Sequence, residues 1–316
     1  MAPLHMFFYP KKVDLVEVGP RDGFQSESRV LSTQEKAEVI RGLLESGMRE
    51  IQVTSFVHPN KVPQLADAEE LLASLPRPEG VVYTVLTLNI KGVERALQSP
   101  ADRIEVSMSL SDAHSRRNAG MSRERAMSEA EKMLDMCRQA GRSARVSLQC
   151  AFGCVLEGKV SSRLVEEAGH KFARAGAEEI VLADTSGMAD PLAVEELLSV
   201  LRNVAPGVEI ALHLHDTRGL GLANALRALQ LGVSRFDTSA GGMGGCPFHP
   251  GAAGNIPTED TAYLCSRLGI PTGVDLQELL RVTQELEALY HREFPARIRP
   301  GLLPSGNGAC PNPDTG

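Results

Sequence analysis

The sequence predicts a (β/α)8 barrel, and three observations carry that expectation. Eight short apolar runs alternate with amphipathic segments, glycines stand where the amphipathic segments would end, and polar residues recur just after the apolar runs. The runs suited to buried parallel strands are residues 13–18, 50–54, 81–86, 103–109, 144–151, 178–183, 208–213 and 234–239. Helical spacing covers residues 33–46, 63–75, 91–98, 123–140, 162–175, 191–204, 217–231 and 258–268. Two of these open on Pro63 and Pro191, as suits a first helical turn. Gly47, Gly141, Gly176, Gly232 and Gly269 occupy helix-ending positions. An open doubly wound sheet is the competing architecture. It often carries a glycine-rich phosphate loop after its first strand, and Gly19-Pro20-Arg21-Asp22-Gly23 lacks that spacing.

Beyond the eighth unit, residues 275–293 predict one more helix. The expected organisation is a barrel over 1–270, a helical extension over 271–293 that packs on it, and a Pro/Gly-rich tail over 294–316 that is mobile or draped over the surface.

The chain has 316 residues, 42% of them hydrophobic, which suits a large core. A net charge of −7 argues against non-specific binding to nucleic acid or to a membrane surface. No apolar run approaches the roughly 20 residues that span a bilayer. The first twelve residues lack a long apolar stretch with a small-residue cleavage site, so no signal peptide is read. Six scattered cysteines (137, 150, 154, 246, 265 and 310) do not make a secreted disulfide framework, and a reducing, cytoplasmic setting is expected. Closed symmetric assemblies are common, so a homodimer is the expected state.

A barrel gathers function at the C-terminal ends of its strands. Arg21 and Asp22 follow the first strand, Thr54 and Ser55 the second, Asp184 and Thr185 the sixth, and His213, His215 and Asp216 the seventh. After the eighth comes Gly241-Gly242-Met243-Gly244-Gly245-Cys246-Pro247, leading to Gly254-Asn255. A carboxylate, two imidazoles and an amide oxygen in one mouth suit a divalent cation, and the oxygen ligands favour Mg²⁺ or Mn²⁺. Each residue also has a plainer role open to it. Asp22 and Asp184 suit helix or turn caps, Asn255 suits a turn, and Cys246 suits a small buried hydrophobe.

Taken together, these segments resemble the lyase branch of the DRE-TIM metallolyase superfamily, the 3-hydroxy-3-methylglutaryl-CoA lyase family. The resemblance rests on Val18–Gln25, Thr54-Ser55-Phe56-Val57, Ala183-Asp184-Thr185, His213–Thr217 and Gly244-Gly245-Cys246-Pro247 through Asn255. It spans roughly residues 12–292. Condensing relatives such as the isopropylmalate and homocitrate synthases typically carry a glutamate where this chain has Phe24, and they lack the Gly-Gly-Cys-Pro loop. The resemblance implies retro-Claisen cleavage of a 3-hydroxyacyl-CoA bearing a second carboxylate, with acetyl-CoA as one product. It implies Asp22, His213, His215 and Asn255 as metal ligands and Asp22 or His213 as the base. Arg21 would stabilise charge on the thioester oxygen and Cys246 would protonate the enolate. Gln25, Gln52, Asp184 and Thr185 would position substrate, and the loop at Arg116-Arg117-Asn118 either meets CoA phosphates or is a solvated turn. One departure stands out: family lyases commonly have an acidic residue where this chain has Gln52, which leaves citramalyl-CoA as an alternative substrate.

Overall fold

The chain's computed structural model describes residues 9–245 and 253–301. Within them eight parallel strands close into a barrel in chain order, with β8 bonded back to β1. They are β1 (Asp14–Glu17), β2 (Glu50–Ser55), β3 (Val82–Thr87), β4 (Arg103–Ser109), β5 (Ser143–Gln149), β6 (Glu179–Ala183), β7 (Glu209–His213) and β8 (Arg235–Thr238). Closure sets Leu15 opposite Phe236 and Glu17 opposite Thr238. The (β/α)8 expectation therefore holds. All five expected helix-ending glycines have positive φ, the left-handed backbone that ends a helix at little cost when no Cβ is present. Among the described residues no helix is long and apolar enough to cross a membrane.

Three helical segments differ from expectation. Residues 63–75 divide into a 3-10 turn, Pro63–Leu65, and a helix, Ala68–Ser74. The helix expected from 217 starts at Gly221, because Asp216 Oδ1 accepts from Gly221 N at 2.7 Å and spends the intervening residues on a turn. A further helix, Asp112–Ala119, lies after β4. Its sequence is too polar to show a helical stripe, and Ser111 caps it through His114 N at 3.1 Å.

Strand side chains alternate between the two faces of the sheet. Ile51, Val85, Ile104, Val146, Ile180, Leu212 and Phe236 belong to the apolar core under the surrounding helices. The alternate positions meet inside the barrel, and there the lining is charged. Arg145 on β5 crosses to Asp237 on β8 with two bonds of 2.9 and 3.1 Å, and also pairs with Glu179 at 3.2 Å and with Glu105. Arg235 pairs with Glu50 at 2.7 Å and Glu179 at 2.8 Å, and Arg103 with Glu50 at 3.0 Å. Buried charges are tolerable only when paired in this way. Burial works against the charge on Arg145, but Asp237, Glu105 and Glu179 outweigh it and raise its pKa.

The last helix, Leu276–Tyr290, buries Leu279, Val282 and Leu286. A Cβ on Gly42 would lie 2.8 Å from Val282, so the helix Thr33–Glu45 approaches it through a glycine. The first residues of the tail expected to be mobile or draped are anchored. Phe294 and Ala296 are buried, Ala296 N donates to Gly241 O at 3.1 Å, and Arg297 N and Ile298 N donate to Asp260. The remainder, 302–316, lies outside the described residues.

Two buried carboxyls hold the turn after β8. Glu17 accepts from Gly19 N at 2.8 Å, Ala240 N at 3.0 Å and the Thr258 hydroxyl at 2.7 Å, while Glu259 accepts from Gly241 N at 2.8 Å. Burial pushes each up to about 7 from 4.5. The folded state therefore holds protons that the unfolded chain releases. The stability these groups contribute is complete below about 4.5 and is lost as pH rises through about 7. A Glu17→Gln variant can keep the geometry, with its amide donating to Thr258. Urea unfolding at pH 5, 6 and 7 should show it gaining on wild type as pH rises, by at most about 1.4 kcal/mol per unit. A difference independent of pH would contradict this.

Candidate active site and metal centre

The mouth of the barrel is built from the ends of β1, β2, β6, β7 and β8. After β1 the chain makes one wide π-helical turn, Gly19–Gly23, in which Val18 O accepts from Arg21 N and Asp22 N at 3.1 and 2.7 Å. Such turns recur at functional sites because they re-aim side chains. This one buries Arg21 and Asp22 at the mouth. A Cβ on Gly23 would lie 2.8 Å from Met243 Cβ, so only glycine lets the turn pack against the loop that follows β8.

Asp22 lies at the centre of the polar cluster. Its Oδ1 accepts from Arg21 Nη1 and from Gln25 Nε2 (2.8 Å), and its Oδ2 from Asn255 Nδ2 (2.8 Å). Burial works to raise the Asp22 pKa, but the Arg21 charge, helped by the Asn255 bond, outweighs it and holds the carboxyl below its usual range. His213 ends β7, and His215 lies two residues on in a short antiparallel bridge with Asn255. Their Nε2 atoms face each other at 3.1 Å. Asp216 N donates to Gly254 O at 2.8 Å and Ile256 N to Leu214 O at 3.0 Å, which pins the Asn255 segment alongside. A Cβ on Gly254 would lie 2.3 Å from the Gly244 carbonyl carbon, so the two loops touch backbone to backbone.

The donor set fits a divalent cation. One ligand atom from each of Asp22, His213 and His215 lies within 4.8 Å of the others. His215 is pushed down to about 3 by burial and then by His213, so its ring is neutral and one of its nitrogens offers a lone pair. The buried atoms His215 Nδ1 and Asn255 Oδ1 have no hydrogen-bond partner among the described residues. Two facing imidazole nitrogens, a carboxylate and an uncommitted amide oxygen together make a mixed nitrogen and oxygen site.

The other expected positions fall as follows. Gln52 on β2 accepts from Arg21 Nε and donates to Glu105 Oε2 at 2.6 Å. Asp184 is pushed up to about 6 by burial. Its Oδ1 caps Met188 N and Ala189 N at 2.7 and 3.1 Å, and its Oδ2 is buried without a partner among the described residues. Thr185 Oγ1 accepts from Cys150 N at 2.9 Å and so supports the strained backbone of Cys150, whose φ is +58°. Arg116 pairs with Asp112 at 2.7 Å on the exposed face of Asp112–Ala119, and Asn118 bonds Gln149 at 3.3 Å. Cys246 lies outside the described residues.

Sequence reasoning missed three residues: Asp237, Arg145 and Glu105. Asp237 Oδ2 lies 3.3 Å from His213 Nδ1 and so orients the ring whose other nitrogen meets His215. Burial opposes the Asp237 charge, but Arg145 and His213 hold its pKa well below the usual carboxylate range. The available signal was the period-two polar spacing in Arg103-x-Glu105-x-Ser107 and Arg235-x-Asp237, which places charge on one strand face.

The HMGL-like family model matches residues 12–286. The human mitochondrial hydroxymethylglutaryl-CoA lyase is 42% identical over 289 residues, covering 92% of this chain and 89% of its own. The crystal structure of the Bacillus subtilis HMG-CoA lyase superposes with a TM-score of 0.88 at 39% identity, covering 92% of this chain and 97% of that one. An HMG-CoA lyase from Acinetobacter baumannii, solved with coenzyme A and 3-methylmalate, superposes with a TM-score of 0.88 at 35% identity, covering 94% and 99%. With a closed eight-stranded barrel, its polar cluster at the strand ends and matches across nearly the whole length of chain and relatives, the protein belongs to the HMGL-like family.

Proposed function

We propose that this protein is a divalent-metal-dependent carbon–carbon lyase. It cleaves the C2–C3 bond of 3-hydroxy-3-methylglutaryl-CoA to acetyl-CoA and acetoacetate. The observation that carries the reading is the meeting of Asp22, His213 and His215 in the barrel mouth, with Asn255 and Arg21 bonded to the same carboxylate. Asp22, His213, His215 and Asn255 would hold the ion, Mg²⁺ or Mn²⁺. Bound there, it supplies Lewis acidity toward the substrate's hydroxyl and carboxylate oxygens.

The residues supply the rest. Asp22 takes the C3 hydroxyl proton; His213 is a less suitable base, since its Nδ1 faces Asp237 and its Nε2 lies on the metal side. As the C2–C3 bond breaks, its electron pair moves toward the thioester oxygen and leaves a ketone at C3. Arg21 spends Nε on Gln52 and Nη1 on Asp22. Nη2, which bonds nothing among the described residues, would stabilise the charge on that oxygen. Cys246 returns a proton to C2 and completes acetyl-CoA. Gln25 and Asp184 line the approach, with the uncommitted Oδ2 of Asp184 offering a substrate contact. Thr185 supports that wall.

The test is incubation of the full chain and Mg²⁺ with 3-hydroxy-3-methylglutaryl-CoA and, separately, with citramalyl-CoA. Acetyl-CoA from the first supports the reading. Acetyl-CoA and pyruvate from the second alone would move the substrate, since Gln52 alters the charge beside Arg21. Thiol release from acetyl-CoA with a keto acid would indicate condensation instead. Four buried free cysteines among the described residues suit a cytosolic setting, and the proposed homodimer is checked by sedimentation.

A further inference from the structure

We propose that Glu105, acting through Gln52, supplies the negative charge that positions Arg21. The activity readout of this proposal rests on the lyase reading, whereas the geometry does not. Gln52 is fully buried on β2, and Glu105 is buried on β4. A guanidinium only donates and an ionised carboxylate only accepts, so the amide between them has one satisfactory orientation. Gln52 Oε1 takes the Arg21 Nε proton, and Gln52 Nε2 donates to Glu105 Oε2 at 2.6 Å. A glutamate at position 52 would hold Arg21 directly but could not donate to Glu105, and two carboxylates would then face each other. Gln52 and Glu105 are therefore a matched pair, with the carboxylate carried from β2 round the barrel to β4.

Glu105 is fixed in turn by Arg145, which also grips Asp237, and Asp237 bonds His213. One buried arginine thus ties the Arg21 side of the mouth to the His213 side. Glu105 is a positioning residue. Its charge keeps the guanidinium plane turned so that Nη1 meets Asp22 and Nη2 stays free for substrate. Without that anchor the guanidinium would swing on its flexible stem, and a misplaced group beside reacting atoms costs about tenfold or more in rate.

The experiment compares wild type, Glu105→Gln and the exchange Gln52→Glu with Glu105→Gln, each as the full chain with Mg²⁺ and 3-hydroxy-3-methylglutaryl-CoA. The ¹⁵N–¹Hε resonance of Arg21, assigned by its loss in Arg21→Lys, is followed alongside. Glu105→Gln should lower kcat about tenfold with KM within about threefold, and should speed solvent exchange of the Arg21 Hε about tenfold. The exchange restores a carboxylate on Nε and leaves a neutral acceptor for Arg145. It should recover kcat to within about threefold of wild type and restore the protected resonance. A Glu105→Gln enzyme with unchanged kcat and unchanged Arg21 exchange overturns the proposal, as does an exchange variant no better than Glu105→Gln. If Glu105→Gln does not fold, the Arg21 resonance of the exchange variant decides. If wild type cleaves neither lyase substrate, the functional reading fails while the resonances still decide the relay.

Discussion

Replacing Asp22 by asparagine is expected to lower kcat/KM by at least about 10³-fold while leaving the barrel folded. The carboxylate joins several parts of the cluster. It takes hydrogen bonds from Arg21, Gln25 and Asn255 and lies with two imidazoles in the candidate metal site. An asparagine keeps the shape but removes the charge, so the two imidazoles would be left to hold a cation with neutral donors alone. Loss of a partner one step removed from a metal costs about 10–100-fold in affinity, and loss of a charged ligand should cost at least the upper end of that range. Titration of Mn²⁺ by electron paramagnetic resonance gives a readout separate from turnover. Thermal unfolding should show a midpoint within a few degrees of wild type. An enzyme that keeps a tenth of its activity, or binds Mn²⁺ as wild type does, would remove Asp22 from the centre of the site.

Arg145→Met should be the most destabilising single change inside the barrel, by about 3–5 kcal/mol. The arginine has no exposed side-chain surface and faces Glu105, Glu179 and Asp237. Methionine fills part of the volume and leaves three buried carboxylates facing one another. Each then takes up a proton more readily than in the unfolded chain, so the deficit should be largest at neutral pH and shrink as pH falls toward 5. Urea unfolding at the two pH values measures both the size and the trend. A deficit below about 1 kcal/mol would mean that the network does not depend on its central cation.

Much of this site was legible before folding was considered. The strand–helix alternation placed Arg21, Asp22, His213, His215 and Asn255 at strand ends, and a barrel brings those ends to one mouth. Gln52 stood out as a departure, and its side chain does meet Arg21. What escaped was the polar interior. Buried parallel strands read as apolar runs, and the charged alternate positions of β4, β5 and β8 look like solvent-facing residues until the barrel closes around them. The helix Asp112–Ala119 escaped for a related reason: it is held by the Ser111 cap and neighbouring contacts and shows little apolar periodicity. The anchoring of Phe294 and Ala296 depends on Gly241 and its neighbours, which no local pattern in a Pro/Gly-rich tail reveals.

By itself the sequence determined the order of strands and helices, the glycines that end the helices and the residues delivered to the strand ends, because each of these follows from local periodicity and backbone preference. Only the tertiary structure decided which charges meet. Arg145 and Asp237 are 92 residues apart in the chain and bond across the barrel interior. His213 takes its orientation from Asp237, and Arg21 is joined through Gln52 to Glu105. Such pairings are set by strand closure and register, which bring distant residues onto one inner face where an unpaired charge would be too costly to bury.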